Sequence, residues 1–409
     1  MSIITQLQNK QLPIFQTLKA KNGELILKGQ GTVQVQPRKN AQFSIYLTVS
    51  KIEIFPSYAL VVNQANASFY RCYEGKETLL CESQSGTGLD RDEKCLYWFS
   101  LDSVNHCLRY GKGEQRDQTT IMRYSPKRND SGETEIEPWI DGIQYIHISG
   151  VNSDVEEFLV GRDPVTIEPP LLIVPRDIMT MEMAAAYKAT VVENLTIECQ
   201  KLYANVAGEQ FQLNTPDFPF FSEAIEQSIQ DPQGWCYQTL KKKEEEFGKP
   251  DINATYLRIT LGVNQGESPG IPYVLEIWPN RHYSPIHNHA GANAAIKVLY
   301  GEITVKLFDM LSVSHTVPFK KVKLKQGDIT WIAPRLNQTH QLHNENEDGT
   351  ICVTIQCYLY DIENNSHYEF FNYIDNDGST IGNFLPNSDM DFLEFRDKMK
   401  SEWEARNRK

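Results

Sequence analysis

His287 and His289 stand two residues apart in YSPIHNHAGANAAIKVLYGEITVKLF, within a chain that holds nine histidines. On an extended strand, side chains two apart point the same way, so both imidazoles would face one side and one metal ion would lie within reach of both. A bare pair of this kind also serves as a pair of hydrogen-bonding groups on a polar face, so the spacing needs further donors to mean a metal. Downstream, GDITWIAPRLNQTHQLHN offers two, His340 and His343, after a turn glycine (Gly327), a strand and a proline bend (Pro334). Imidazole donors suit iron, zinc, nickel or copper.

The elements that must position these residues are strands. ATYLRITLG, YVLEIWP, AAIKVLYG, EITVKLF, KVKLKQGDITWIA and ICVTIQCYLYD alternate or run apolar between Gly- and Asn-containing turns, which predicts a small antiparallel barrel or jelly roll. A second group, FSIYLTV, KIEIF, YALVV, CLYWFSL, CLRYG and IQYIHISG, predicts an all-β sandwich nearer the N-terminus. The fold class expected is therefore mainly β with some helix, as a β-sandwich-like domain over 1–168 and a barrel domain over 216–409 that ends in a surface helix. Between them, 169–215 is expected to hold a linker, the proline-bounded EPPLLIVP, and then an amphipathic helix. Met183, Tyr187, Val191, Leu195 and Cys199 recur every four residues there, before Gly208. SEAIEQSIQDPQGW predicts a second helix, and KKKEEEFGK its solvated continuation.

A chain of 409 residues is longer than one core usually grows, which also argues for two domains. A net charge of −13 argues against nucleic acid as a partner, because phosphate binding relies on concentrated Lys and Arg. No run of about 18 apolar residues and no basic, apolar leader occurs, so no membrane partner and a cytoplasmic location are expected. The eight cysteines form no C-x-x-C pair, which predicts reduced, mostly buried thiols.

Two resemblances add to this reading. IHNHAGANAAIKVLYG, ending at Gly301, resembles the first cupin motif, and the segment from Gly327 through Pro334 and His340 to Asn344 resembles the second. Residues 219–362 further resemble cysteine dioxygenase, a thiol dioxygenase of the cupin superfamily, through QDPQGWCYQ, the Y-x-R of ATYLRI, the run from Trp278 to His289, and THQLHNEN. The N-terminal segment ANASFYRCYEG…CLYWFSLDSVNHCLRYGKGE resembles the domain called farnesoic acid O-methyltransferase-like. No glycine-rich turn for S-adenosylmethionine accompanies it, so a module binding an unknown ligand or protein is expected.

The cysteine dioxygenase resemblance implies that His287, His289 and His340 hold Fe(II), that Arg258 pairs with a substrate carboxylate beside Tyr256, and that Tyr360 is the active-site tyrosine, with Tyr358 on the same face. A planar guanidinium suits a carboxylate because it donates two parallel charge-assisted bonds. Where most cupins carry a glutamate after the pair, Ala290 to Ala294 offer none, and Ala294 excludes the cysteine–tyrosine link of animal members. The family's S-x-H-x-Y array would read Gln356, Tyr358 and Tyr360. The implied function is oxidation of L-cysteine by O2 to cysteine sulfinate. The alternatives are a dioxygenase for 3-mercaptopropionate or cysteamine, and a metal-binding or thiol-sensing module without turnover. An isomerase or hydrolase is disfavoured because no carboxylate is placed beside the ligands as a general base.

Overall fold

In the computed structural model, residues 14–19, 21–37, 41–126, 137–150, 158–261, 273–360 and 371–407 are described. The N-terminal stretch read for a leader lies outside them up to residue 13. The chain divides into two compact units, Met1–Glu168 and Pro169–Lys409.

The first unit is built from two six-stranded sheets. In Phe43–Thr48, the alternate residues Phe43, Ile45 and Leu47 are fully buried, as are Tyr97, Phe99 and Leu101 in Tyr97–Asp102. Phe69 stacks on Phe99 and Phe43 meets Tyr97 edge-on, each with ring centroids 5.2 Å apart, so the two inner faces interdigitate as in a sandwich. One expected strand is absent: KIEIF forms a bend instead, with Ile52 90% exposed. Its alternating Ile52 and Ile54 have no sheet to cover them.

The second unit carries an eight-stranded sheet whose central members run Ile329–Ile332, Asn293–Tyr300, Cys352–Leu359, Tyr273–Trp278 and Leu257–Leu261, all paired antiparallel. A three-stranded sheet, Lys320–Lys325, Glu302–Leu307 and His340–His343, accompanies it. That sheet is extended by His287, which bridges both His340 and Tyr373. On the outer side of the large sheet, Leu257, Ile259, Leu275, Ile277, Val353 and Ile355 join one apolar cluster with the helices Ile197–Val206, Phe221–Gln230, Trp235–Lys242 and Phe392–Asn407. The alternate positions on the same strands face inward, where the site lies.

Four expectations change. The helix expected across 176–208 is broken into Met181–Ala185 and Ile197–Val206, with the strand Ala189–Val191 between them. Tyr187 adopts φ 51°, β-branched Thr190, Val191 and Val192 favour extension, and the Thr196 hydroxyl caps a new start by accepting from Cys199 N–H. The EPPLLIVP stretch is no linker in its middle: Leu172–Val174 pairs parallel with Ala189–Val191 and meets Ile329. The charge run leaves the helix at Lys242, and Lys243 turns to pair with Asp389 at 3.1 Å. The C-terminal helix is more than a surface element, since Phe395 and Met399 are fully buried. Among the described residues no helix is long and apolar enough to cross a membrane. All eight thiols are free, and all but Cys81 are buried.

Candidate metal centre

Backbone pairing brings the histidines together. His287 N–H donates to His340 O and His340 N–H to His287 O, both at 3.0 Å, which puts the two residues side by side across neighbouring strands. His289 follows two residues on. The chain then reverses through Ala290 (φ 51°) and Gly291 (φ 83°), a turn held by Gln338, whose carbonyl accepts from Gly291 N–H at 2.8 Å and whose amide donates to Ala292 O. Asn344 donates to Trp278 O and Thr350 O, so this motif residue ties loops together rather than touching the cluster.

One nitrogen from each of His287, His289 and His340 lies within 4.8 Å of the others, and this group could hold a metal ion. His287 Nδ1 lies 3.0 Å from Pro285 O and His340 Nδ1 3.0 Å from Asn337 O. A carbonyl accepts only from N–H, so both Nδ1 atoms carry the proton and both Nε2 atoms present a lone pair. His340 Nε2 then stands 3.3 Å from His289 Nε2, and His289 Nδ1 is buried without a partner among the described residues. A single proton of His289 can serve its contact with His340 or its orphaned Nδ1 but not both, and a bound cation relieves the shortfall, so the donor set fits a metal. Burial, aided for His287 by the neighbouring His340, pushes His287 down to about 3; burial takes His340 down to about 4 and His289 well below its ordinary value. All three are therefore neutral donors at neutral pH.

The opposite wall comes from the inner face of the large sheet. Arg258 and Glu276 sit directly across from each other in register and form a buried ion pair, Arg258 Nη1 to Glu276 Oε1. Glu276 Oε2 accepts from the Gln356 amide, and Gln356 Oε1 accepts from the Tyr358 hydroxyl. The Tyr358 ring stacks beside His289 with centroids 5.4 Å apart, so one polar chain runs from Arg258 to the histidines. Tyr256 stacks on Trp278 at 4.3 Å, and Trp278 Nε1 donates to Thr354 Oγ1 at 3.2 Å. Together with Leu342, Phe371 and Phe384, Tyr256 and Trp278 line one narrow cavity shared with the histidines.

The structure thus places His287, His289, His340, Arg258 and Tyr256 around one cavity. Tyr360 is not among its described lining residues; it packs against the cluster of Val274, Ala294 and Tyr358, and Tyr358 occupies the wall. An S-x-H-x-Y reading set on Tyr358 instead of Tyr360 would run through Thr354, Gln356 and Tyr358. His343 faces away, with Nδ1 2.8 Å from Lys306 Nζ and 3.0 Å from Glu345. Glu276 adds to the wall a carboxylate that sequence reasoning did not single out, and both its oxygens are engaged, by Arg258 and Gln356. Its signal was present in YVLEIWP, where Glu276 shares a strand face with Trp278 in an otherwise apolar run.

No family model matches the chain, and no curated protein matches it. Solved structures similar to it include a cupin superfamily protein from Desulfitobacterium hafniense, at 16% identity over 26% of this chain and 79% of that one, with a TM-score of 0.20. The cupin domain of Cnp3 from Schizosaccharomyces pombe is similar at 15% identity over 26% of this chain and 65% of that one, with a TM-score of 0.20. An oxalate oxidase in complex with the substrate analogue glycolate is similar at 16% identity over 28% and 54%, with a TM-score of 0.22. At such scores these likenesses carry no argument about activity, and none of the three is named as a thiol dioxygenase.

Proposed function

We propose that residues 169–409 act as a cupin-type, iron-dependent thiol dioxygenase. The observation that carries this is the convergence of three neutral imidazoles, two of them anchored by backbone carbonyls, in one cavity whose facing wall bears a tyrosine hydroxyl and a guanidinium. Fe(II) held by His287, His289 and His340 would supply the redox centre at which a thiol sulfur is oxidised and O2 reduced. Both oxygen atoms end on sulfur, R–SH and O2 giving R–SO2H, so no further reductant is consumed.

The chain's own residues supply the rest. Carbonyls of Pro285 and Asn337 fix two imidazoles in one tautomer and orientation. Burial holds the Tyr358 hydroxyl protonated at neutral pH; its proton goes to Gln356 Oε1 and would have to turn from there to reach a group bound beside His289. Trp278, Leu342, Phe371 and Phe384 keep water away from the reacting atoms. The narrowness of the cavity restricts the occupant to small thiols, with L-cysteine, 3-mercaptopropionate and cysteamine as candidates.

A second reading, a metal-binding module that senses thiols without turnover, is favoured by one observation: Gln356 stands where the S-x-H-x-Y pattern has histidine. Incubation of the iron-loaded protein with each of the three thiols separates the two. The dioxygenase consumes one O2 per sulfinate formed; no oxygen uptake with any of them would leave the sensing module.

A further inference from the structure

The Arg258–Glu276 pair has a bearing on substrate choice that the oxidation chemistry does not use. An arginine that clamps a substrate carboxylate meets it with no other anion at hand, whereas Arg258 Nη1 is already engaged by a carboxylate of its own chain while its Nε–H has no partner among the described residues. The two residues are directly opposed on adjacent strands, with side chains 8% and 4% exposed. Both Glu276 oxygens have partners, Arg258 on one and the Gln356 amide on the other. The Arg258 backbone is pinned as well, its N–H donating to Asp389 Oδ2 at 2.7 Å and its carbonyl accepting from Asp389 N–H at 2.8 Å. The strand position of Arg258 opposite Glu276 is therefore fixed.

We infer that Glu276 is a specificity-determining residue that cancels the Arg258 charge and selects a small aminothiol over a thiol bearing a carboxylate. A second carboxylate brought to Arg258 would lie beside that of Glu276 in a water-poor cavity, where like charges repel strongly. An ammonium group has an anionic acceptor in Glu276 on its Oε2 side, where the neighbour is the neutral Gln356 amide and not Arg258. The buried Arg258 Nε–H, which has no partner among the described residues, is satisfied by a neutral acceptor without adding negative charge. This inference rests on the reading of the cavity as a thiol site, and it names the class of thiol.

The test is anaerobic calorimetric titration of the full-length, iron-loaded protein with cysteamine and with 3-mercaptopropionate, run beside oxygen uptake. The wild type is expected to bind cysteamine at least tenfold more tightly. Glu276→Gln should shift the ratio toward 3-mercaptopropionate by tenfold or more, while Glu276→Asp keeps the wild-type order. Should Glu276→Gln fail to fold with its arginine left unpaired, the double variant Arg258→Gln/Glu276→Gln removes both charges and should bind the two thiols about equally. Equal or tighter binding of 3-mercaptopropionate by the wild type, a tenfold cysteamine preference that survives in the variant that folds, or binding of neither thiol would overturn the inference. Oxygen uptake with carboxylate thiols preferred leaves the dioxygenase and removes the role of Glu276. The expected binding order without any oxygen uptake does the reverse.

Discussion

His340 and His343 share one strand but lie three apart, an odd spacing that turns them to opposite faces. His340 joins the cluster, whereas His343 spends its Nδ1 on Lys306 and Glu345. His340→Ala should therefore lower metal affinity by about 100-fold or more, and His343→Ala should leave it unchanged, as measured by calorimetric metal titration. The reverse result would overturn the ligand set. Tyr358 and Tyr360 pose a harder contrast, because their even spacing gives both the same parity. Tyr358 stands beside His289 and bonds Gln356, so Tyr358→Phe should reduce kcat by about 10- to 100-fold, with Tyr360→Phe near wild type. At this scale the ligands were legible from residue type and two-residue spacing, although no strand carries the pair: His287 lies at an isolated bridge and His289 outside any strand. The tyrosine and Glu276 were not: parity cannot say how far along a strand the cavity reaches, and the Arg258–Glu276 register exists only once two strands have paired.

Strand order and turns explain what the sequence showed of the elements. The strands from Leu257 to Leu359 were legible because nearly every one is bounded by a glycine, proline or asparagine turn. Gly301 and Gly327 are two such turn residues, with φ of 70° and 92°, yet their surroundings differ. A Cβ on Gly301 would stand 2.2 Å from Ile351 O, while nothing lies within 4 Å of one on Gly327. Gly301→Ala should cost on the order of 3 kcal/mol, combining left-handed strain with a backbone clash. Gly327→Ala should cost about 1 kcal/mol from the strain alone. Urea unfolding of the two variants checks the difference; equal losses would mean that the turn closing the Asn293–Tyr300 strand tolerates a side chain. Elements that depend on distant partners were not legible. Leu172–Val174 reads as proline-bounded coil until Ala189–Val191 and Ile329 are beside it, and four-residue apolar spacing hid the Thr196 cap that starts a separate helix.

At the scale of the whole molecule, the three ligands and every described residue lining the cavity fall between Tyr256 and Phe384, inside the Pro169–Lys409 unit. That unit also owns the apolar cluster joining its helices to the back of the large sheet. A metal that binds only the folded site stabilises the unit that forms it by RT ln(1 + [L]/Kd), about 2.7 kcal/mol at a hundredfold excess over Kd. For a unit of this size that corresponds to a rise in melting temperature of about 5 to 10 °C. Residues 14–168 contribute no described ligand, so their own opening should be insensitive to the ion. Hydrogen exchange resolved by peptide, compared between metal-loaded and chelator-treated protein, should therefore show added protection along Asn293–Tyr300, His340–His343 and Cys352–Leu359. Peptides from Phe43–Thr48 and Tyr97–Asp102 should exchange alike in both states. Equal protection of both units by the metal would show that the first unit's stability is coupled to the site, and the binding of small thiols would then have to be measured as a property of the full chain.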